Sequence, residues 1–281
     1  MSTTFEERDF RGDHGETIVY DLHRPEAGEP RAVVVIAHGM GEHGRRYGHV
    51  CAALTAAGYL VAVPDHLGHG RSGGRRMRIT RFSDYARDLD RVITEVAIAG
   101  VPTYLIGHSM GGTIALDYAL DHPNRLAGLV LSGAGIMPGD DLPAPLIAVS
   151  KIVGKIAPGV PTIALDAGSI SRDPDVVAAY QADPLVYRGK IPARLGGEMI
   201  STMQSFPARL PTLTMPVLVM HGSADTLTNP EGSRLVERLA SSTDKTLIIW
   251  DGLRHEIFNE PEQAEVIGTL TRWLQERVGA S

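Results

Sequence analysis

A serine, an aspartate and a histidine in this sequence have neighbours that suit nucleophilic catalysis. Ser109 lies in Gly107-His108-Ser109-Met110-Gly111, between a β-favouring run that ends at Ile106 and a helical stretch rich in small residues. A G-x-S-x-G nucleophile elbow requires this order of strand, tight turn and helix, because the turn pushes the serine hydroxyl out of the backbone path. The following helix points its free N–H groups at the charge that develops on an attacked carbonyl. Ser109 is therefore predicted to be a nucleophile.

A serine hydroxyl attacks efficiently only when a base takes its proton, and a histidine held by a carboxylate does this at neutral pH. On such a sheet the chain order is serine, acid and then histidine. His255 is the one histidine of eleven near the C-terminus, and Asp225 follows the β-favouring run 217–220. These residues are the predicted base and acid. The alternatives are a surface-loop role for His255 and a turn role for Asp225, with Asp140 or Asp141 then as the acid.

A second stretch, Gly70-Arg71-Ser72-Gly73-Gly74, also fits the G-x-S-x-G pattern. No β-favouring run ends directly against it, and the arginine-rich segment 75–78 follows where a packed apolar helix is required. We therefore expect Ser109, and not Ser72, to be the nucleophile.

The oxyanion formed by nucleophilic attack needs preorganised N–H donors. One is predicted to be the backbone N–H of Met110, directly after the nucleophile, and the other that of Met40, in the loop His38-Gly39-Met40-Gly41. The alternative for this loop is a tight turn with no charged ligand. Both interpretations can hold together, because the turn is what aims the N–H group.

The same loop also matches a dinucleotide-binding fingerprint. Gly39, Gly41 and Gly44 have the G-x-G-x-x-G spacing, and Asp65 follows the next β-favouring run at the expected distance. Two strands are expected ahead of this motif, whereas the fingerprint normally opens a fold. A dinucleotide site would also leave the serine, aspartate and histidine unexplained, so we reject it.

The composition is that of an ordinary globular chain: 281 residues, 43% hydrophobic and 21% charged. A net charge of −6 gives no electrostatic reason to expect nucleic-acid binding. The lone cysteine, Cys51, cannot form an internal disulfide. Because neither a signal peptide nor a membrane-spanning run is seen, we expect a cytoplasmic or peripherally membrane-associated protein. Its oligomeric state is left open.

Strands and helices alternate along most of the sequence, which predicts a mainly parallel α/β sheet. The β-favouring runs are 17–22, 32–37, 59–64, 104–106, 128–131, 217–220 and 246–250, and the helical stretches are 47–57, 84–99, 110–121, 231–240 and 261–278. His221, at the end of one run, is expected to be a structural histidine.

The alternation stops between residues 133 and 216, a span much longer than a normal connection. It holds an apolar helical stretch at 145–156 and is then rich in proline. We predict a helical cap at 137–211, inserted between two parts of one core, 1–136 and 212–281. One face of the apolar stretch either packs on the core or lines a channel and touches a lipid surface.

Several motifs together resemble the monoacylglycerol lipases of the α/β-hydrolase fold, and most of all their actinobacterial, mycobacterial-type members. They are His38-Gly-Met-Gly-Glu-His43, Pro64-Asp-His-Leu-Gly-His-Gly-Arg-Ser-Gly73, Gly107-His-Ser-Met-Gly-Gly112, His221-Gly-Ser-Ala-Asp225, the cap segment 170–187 and His255-Glu-Ile-Phe-Asn-Glu-Pro261. The resemblance runs nearly from end to end. It implies an eight-stranded sheet flanked by helices, with an inserted helical cap.

The resemblance also implies hydrolysis of monoacylglycerols to fatty acid and glycerol through an acyl-serine, with no metal or organic cofactor. It assigns Ser109, Asp225 and His255 to catalysis, and Met40 and Met110 to the oxyanion hole, as the residues themselves indicate.

The resemblance further suggests that Glu42 and Arg46 contact the glycerol end of the substrate, the alternative being a surface ion pair. A lysophospholipase or general carboxylesterase is the next hypothesis. An oxidoreductase that uses a dinucleotide and a non-catalytic binding protein are more distant ones.

Overall fold

The computed structural model describes residues 5–139 and 152–278. Within these ranges eight strands form one sheet in the order β1-β2-β4-β3-β5-β6-β7-β8. The strands are β1 Phe5–Arg11, β2 Thr17–His23, β3 Ala32–Ala37, β4 Tyr59–Pro64, β5 Thr103–His108, β6 Gly128–Ser132, β7 Val217–Gly222 and β8 Lys245–Trp250. Strands β3 to β8 are parallel, and β1 and β2 pair antiparallel at one edge. This confirms the predicted fold class.

Helices cover both faces of the sheet. They are α1 Gly48–Ala56, α2 Ser83–Val96, α3 Met110–Asp121, α4 Pro174–Ala182, α5 Ala193–Arg209, α6 Pro230–Leu239 and α7 Gln263–Val278, with a short helical piece at 152–156. In the described parts of the chain, none of the helices has the length and hydropathy of a transmembrane span.

The alternation of side chains along β3 shows why its sequence is continuously apolar. Val33 and Val35 face the core under α2 and α3, whereas Val34 and Ile36 face the core under α1 and α7. All six residues of β3 are buried. A strand covered on both faces has no solvent-facing positions, so it does not need polar residues at alternate sites.

The connection between β6 and β7 carries α4 and α5, in the span where the sequence predicts a helical insertion. Of the predicted apolar stretch, residues 152–156 are helical, and the remainder lies outside the described residues. The alternative acids Asp140 and Asp141 also lie outside them.

Strand β1 has no counterpart among the β-favouring runs predicted from the sequence. Its sequence, Phe-Glu-Glu-Arg-Asp-Phe-Arg, lacks the apolar alternation of a half-buried strand, and Phe10 is its one buried residue. It pairs with β2 over seven residues at the edge of the sheet. Charged side chains are normal on such an edge, because they oppose pairing with other chains.

The parallel strands bring distant parts of the sequence to one edge of the sheet. The loops after β3, β5, β7 and β8 carry Met40, Ser109, Asp225 and His255 in turn. Because parallel strands all point the same way, these loops meet beyond the same ends, where ligands bind in open α/β sheets.

Candidate active site

Ser109 has a backbone conformation that L-residues rarely adopt, with φ 55° and ψ −120°. Neighbouring strands and turns hold it there. Its N–H donates to the carbonyl of Ser132 over 3.1 Å, and its own carbonyl accepts from the N–H groups of Gly112 at 3.0 Å and Gly135 at 3.1 Å. The strained turn places Ser109 on the wall of a cavity above the sheet. This is the geometry of a nucleophile elbow.

Glycines on either side of Ser109 allow the helix to pack closely against the sheet. A Cβ atom on Gly111 would lie 2.1 Å from the carbonyl oxygen of Ala37, and one on Gly107 would lie 2.4 Å from that of Gly111. No side chain larger than hydrogen fits at either position without displacing backbone atoms.

Asp225 and His255 form a buried hydrogen-bonded pair. The distance from His255 Nδ1 to Asp225 Oδ2 is 2.7 Å. The other carboxylate oxygen, Oδ1, accepts the backbone N–H groups of Leu227 at 2.8 Å and Thr228 at 3.0 Å. A proton on Nδ1 leaves Nε2 as the basic nitrogen of the ring. His255 lines the same cavity as Ser109.

Charges around this pair favour the protonation states that a base and its partner require. Burial alone would raise the pKa of Asp225, but the His255 and His221 rings outweigh it and hold that pKa well below its usual range. Burial alone would lower the pKa of His255, but the charge and hydrogen bond of Asp225, with the charges of Glu256 and Glu42, raise it above the ordinary value of 6.5.

The loop that carries Met40 is held from within. The Gly39 N–H donates to Glu42 Oε1 over 2.6 Å, and the His38 ring lies 2.8 Å from the Gly39 carbonyl. Met40 lines the cavity, and Met110 begins α3 directly after Ser109. The first N–H groups of a helix have no partners within it, so the Met110 N–H is suited to bind an oxyanion.

Glu42 and Arg46 do form an ion pair, but it is buried and not at the surface. Arg46 also binds both carboxylate oxygens of Glu256, each at 2.7 Å, and the Tyr47 hydroxyl donates to Glu42 Oε1 over 2.8 Å. Glu42 lines the cavity. Glu256 is not among the residues predicted from the sequence, although its place directly after His255 is a usable signal. The network joins the Met40 loop to the His255 loop.

The cavity has a largely apolar wall. Segments from the connection between β6 and β7 contribute much of it. Apolar lining residues include Met40, Met137, Ile163, Leu165, Ile170, Ile191, Met199, Met203 and Leu227. Its polar lining residues include Ser109, His255, Glu42 and Glu256. A site of this kind can bind a long aliphatic group beside an activated hydroxyl.

The other serine motif has a structural role. Ser72 is buried, its hydroxyl donates to the Asp65 carbonyl over 2.6 Å, and it accepts the Val19 N–H over 2.9 Å. These bonds join the loop after β4 to β2. Ser72 therefore lies outside the cavity that Ser109 lines.

The aspartate of the dinucleotide fingerprint likewise has a structural role. Asp65 is fully buried, and its carboxylate accepts the Gly44 N–H at 2.7 Å and the Arg71 N–H at 2.8 Å. It is therefore not placed to bind a ribose. Among residues 5–139 and 152–278, no group of three or more His, Cys, Asp or Glu side chains could hold a metal ion.

Comparisons with known proteins agree with this geometry. The family model described as serine aminopeptidase, S33 matches residues 28–262. A monoacylglycerol lipase of Mycolicibacterium smegmatis is 45% identical over 277 residues, 98% of this chain and 98% of that protein. The human monoglyceride lipase is 32% identical over 90% of this chain and 86% of its own length.

The crystal structure of a monoacylglycerol lipase from Paleococcus ferrophilus has a TM-score of 0.82 to this chain. The two are 32% identical, and the match covers 99% of this chain and 100% of the other. Agreement of this extent, in sequence and in backbone geometry, confirms the resemblance that the motifs indicate. The chain therefore belongs to the monoacylglycerol lipase family of α/β-hydrolases.

Proposed function

We propose that this protein is a serine hydrolase that cleaves the ester bond of monoacylglycerols through an acyl-enzyme on Ser109. The observation that carries the proposal is a single cavity, apolar over most of its wall, that Ser109 and His255 both line. Relatives that match nearly the whole chain bear the name of this activity. The substrate therefore has a long acyl chain and a small polar alcohol.

The reaction begins when Ser109 Oγ attacks the ester carbonyl and His255 Nε2 takes its proton. The oxyanion receives the backbone N–H groups of Met40 and Met110. Collapse of this intermediate breaks the bond to glycerol, which leaves with the proton from His255. Water then attacks the acyl-serine while His255 takes its proton, and the fatty acid departs as His255 returns that proton to Ser109 Oγ. Asp225 holds the ring in one tautomer throughout.

The cavity wall accounts for preference for an acyl chain. Each CH₂ group buried from water contributes about 0.8 kcal/mol. Four methionines line the cavity, Met40, Met137, Met199 and Met203, and their flexible thioethers adapt to chains of different shape. We assign the residues between positions 137 and 211 to a cap over the site.

The cap also has an exposed apolar surface. Apart from Phe5, the large hydrophobic side chains exposed in the described residues lie between positions 152 and 165, and they are Ile152, Ile156, Val160, Ile163 and Leu165. We infer that this surface contacts the lipid aggregates from which substrate is drawn. Ile156→Ser should weaken sedimentation with phospholipid vesicles, whereas Phe5→Ser, at the exposed apolar position of β1, should not. Equal binding by both variants would contradict the assignment.

Fatty-acid release from monoacylglycerol, diacylglycerol, triacylglycerol and lysophosphatidylcholine tests the function. We expect preference for monoacylglycerol, and loss of turnover in a folded Ser109→Ala variant. Ser72→Ala is the control, because Ser72 has the same motif spacing. In this variant a fluorophosphonate should still label Ser109. Preference for lysophosphatidylcholine or for simple esters would replace the substrate but keep the mechanism. Retained activity in Ser109→Ala would overturn the assignment of Ser109 as the nucleophile.

A further inference from the structure

The carboxylate of Asp225 lies between two histidine rings. His221, at the end of β7, places its Nε2 atom 3.0 Å from Asp225 Oδ2, the same oxygen that His255 Nδ1 contacts at 2.7 Å. On the far side of the ring, His221 Nδ1 lies 2.7 Å from the hydroxyl oxygen of Ser233 in α6. His221 and Ser233 are completely buried.

The partners of His221 determine which ring nitrogen carries its proton. An ionised carboxylate only accepts hydrogen bonds, so the nitrogen that faces Asp225 must be the donor. The proton is therefore on Nε2, and Nδ1 accepts the hydroxyl proton of Ser233. In this arrangement Ser233 holds the tautomer of His221, as Asp225 holds that of His255.

The bond from His221 is not required merely to satisfy a buried carboxylate. Asp225 Oδ1 already accepts two backbone N–H groups, from Leu227 and Thr228. The Thr228 hydroxyl lies 2.8 Å from Oδ2 and 2.9 Å from the Gly133 carbonyl, and its single proton can serve only one of them. His221 acts instead on the oxygen that the base uses.

We propose that His221 is a positioning residue of the catalytic acid: its Nε2–H orients the Asp225 carboxylate and takes up part of the charge that Asp225 presents to His255. The inference rests on the proposed serine-hydrolase function. A donor on the shared oxygen weakens the hold of Asp225 on a protonated His255, because both rings draw on the same electron density. His221 thereby keeps the base free at lower pH than Asp225 alone would allow.

Other ionisable groups also act on this pair, and the test must hold them constant. The His108 ring centroid lies 4.7 Å from that of His255, and burial, together with the charge of His255, lowers the pKa of His108 to about 4. Glu42 and Glu256 act on His255 as carboxylates, with Arg46 bonded to both. A substitution at His221 leaves these four side chains in place.

Three variants separate positioning from packing. His221→Leu removes the donor, His221→Gln retains an N–H donor at a similar reach, and Ser233→Ala releases the tautomer of an intact His221. The measurements are the pH profile of kcat/KM on a soluble short-chain ester and the thermal unfolding temperature. In His221→Leu the acid limb should move up by about one pH unit, because a hydrogen bond to a charged group and one unit of pKa are similar in size. The acid limb of His221→Gln should stay near that of the wild type, and the limb of Ser233→Ala should lie between those of the wild type and His221→Leu.

An unchanged acid limb in His221→Leu, or an equal shift in His221→Gln, would overturn the proposal. If the leucine variant does not fold, His221→Gln and Ser233→Ala still test the proposal. A role in packing alone predicts no shift of the acid limb in Ser233→Ala. The downfield proton resonance between His255 and Asp225 gives a second readout that needs no turnover, and it should move in the order Leu, Ser233→Ala, Gln. If the wild-type protein hydrolyses none of the esters, that result counts against the proposed function. The proton resonance between His255 and Asp225 still tests the positioning role of His221 in that case.

Discussion

The backbone N–H of Gly39 donates a 2.6 Å hydrogen bond to Oε1 of Glu42, a buried carboxylate three residues later. Gly39 directly precedes Met40, the proposed oxyanion donor, so this bond fixes the peptide planes that aim the Met40 N–H. The Glu42 oxygens also accept hydrogen bonds from the Tyr47 hydroxyl and from Arg46. We therefore propose a positioning role for Glu42, which also lines the cavity.

Glu42→Ala should lower kcat on monoacylglycerol and on a simple aryl ester by a similar factor. It leaves the Gly39 N–H unpaired in the interior, which costs about 1–3 kcal/mol, and loosens one oxyanion donor, which costs about 10²–10³ in kcat when a donor is lost outright. Steady-state kinetics on both substrates measures the factors. A loss confined to monoacylglycerol would restore the glycerol-contact hypothesis.

Glu95→Ala provides a matched control for Glu42→Ala. Glu95 also pairs with an arginine four residues away, Arg91 at 3.0 Å, and with a tyrosine hydroxyl, that of Tyr20 at 3.1 Å. It lies on α2, remote from the cavity, so its loss should leave kcat on both substrates near the wild-type value. A fall in activity equal to that of Glu42→Ala would show a general effect of breaking such pairs.

The rate of hydrolysis should fall as pH drops through a value above 6.5, because His255 must be unprotonated to act as a base. Burial opposes protonation of His255, but the carboxylates of Asp225, Glu256 and Glu42 outweigh it and raise the pKa above the ordinary 6.5. The pH profile of kcat/KM measures this limb. Asp225→Asn should lower kcat by about 10³–10⁴ and move the limb down. A wild-type limb well below 6.5 would contradict the electrostatic assignment.

The proposed site residues were predictable because each follows a β-favouring run. The runs that end before Met40, Ser109, Asp225 and His255 are β3, β5, β7 and β8 in the structure. Chain order and parallel strands then bring these residues to one edge of the sheet. Burial from both sides leaves an uninterrupted apolar pattern in β3, whereas β8, at the edge of the sheet, is only partly buried.

Two features could not be read from local pattern. Strand β1 is held by pairing with β2 and carries charges that periodicity assigns to a loop. The partners of Arg46 include Glu256, 210 residues away in the sequence, and only the fold brings them together. From the sequence alone, the Glu42–Arg46 spacing fits a surface ion pair and a buried network equally well, because Glu256 is distant in the chain.

Stability should fall steeply below pH 6.5 because three neighbouring histidines, His38, His66 and His69, are buried with their rings in contact. Burial is the largest cause that lowers the pKa of His38 to about 3, that of His69 to about 4 and that of His66 well below 6.5. The unfolded chain takes up these protons near 6.5, so the contribution to stability is complete above that pH and is lost toward pH 4. The slope is about 4 kcal/mol per pH unit, measurable by urea unfolding between pH 7.5 and 5.

His69→Asn should reduce the measured slope by about 1.4 kcal/mol per pH unit, because asparagine can still donate to the Leu67 carbonyl that His69 Nδ1 contacts at 3.0 Å, yet it binds no proton. Tyr85→Phe is the control. Its ring lies 6.0 Å from that of His69, so it perturbs the same packing without removing a histidine. If both variants change the slope alike, the pH dependence has another origin.

Gly111→Ala should damage the site more than any other single-methyl change at the elbow. The added Cβ would lie 2.1 Å from the Ala37 carbonyl oxygen and 2.4 Å from that of His38, so α3 must move away from β3 and the Met40 loop. Overpacking of this kind costs about 1–3 kcal/mol, and displacing the two oxyanion donors should lower kcat by about 10²-fold or more. Gly268→Ala in α7, where a Cβ meets nothing within 4 Å, should instead add about 0.5–1 kcal/mol. Thermal unfolding and aryl-ester kinetics on both variants check this, and a fully active Gly111→Ala would mean that the distance between helix and loop does not set the oxyanion hole.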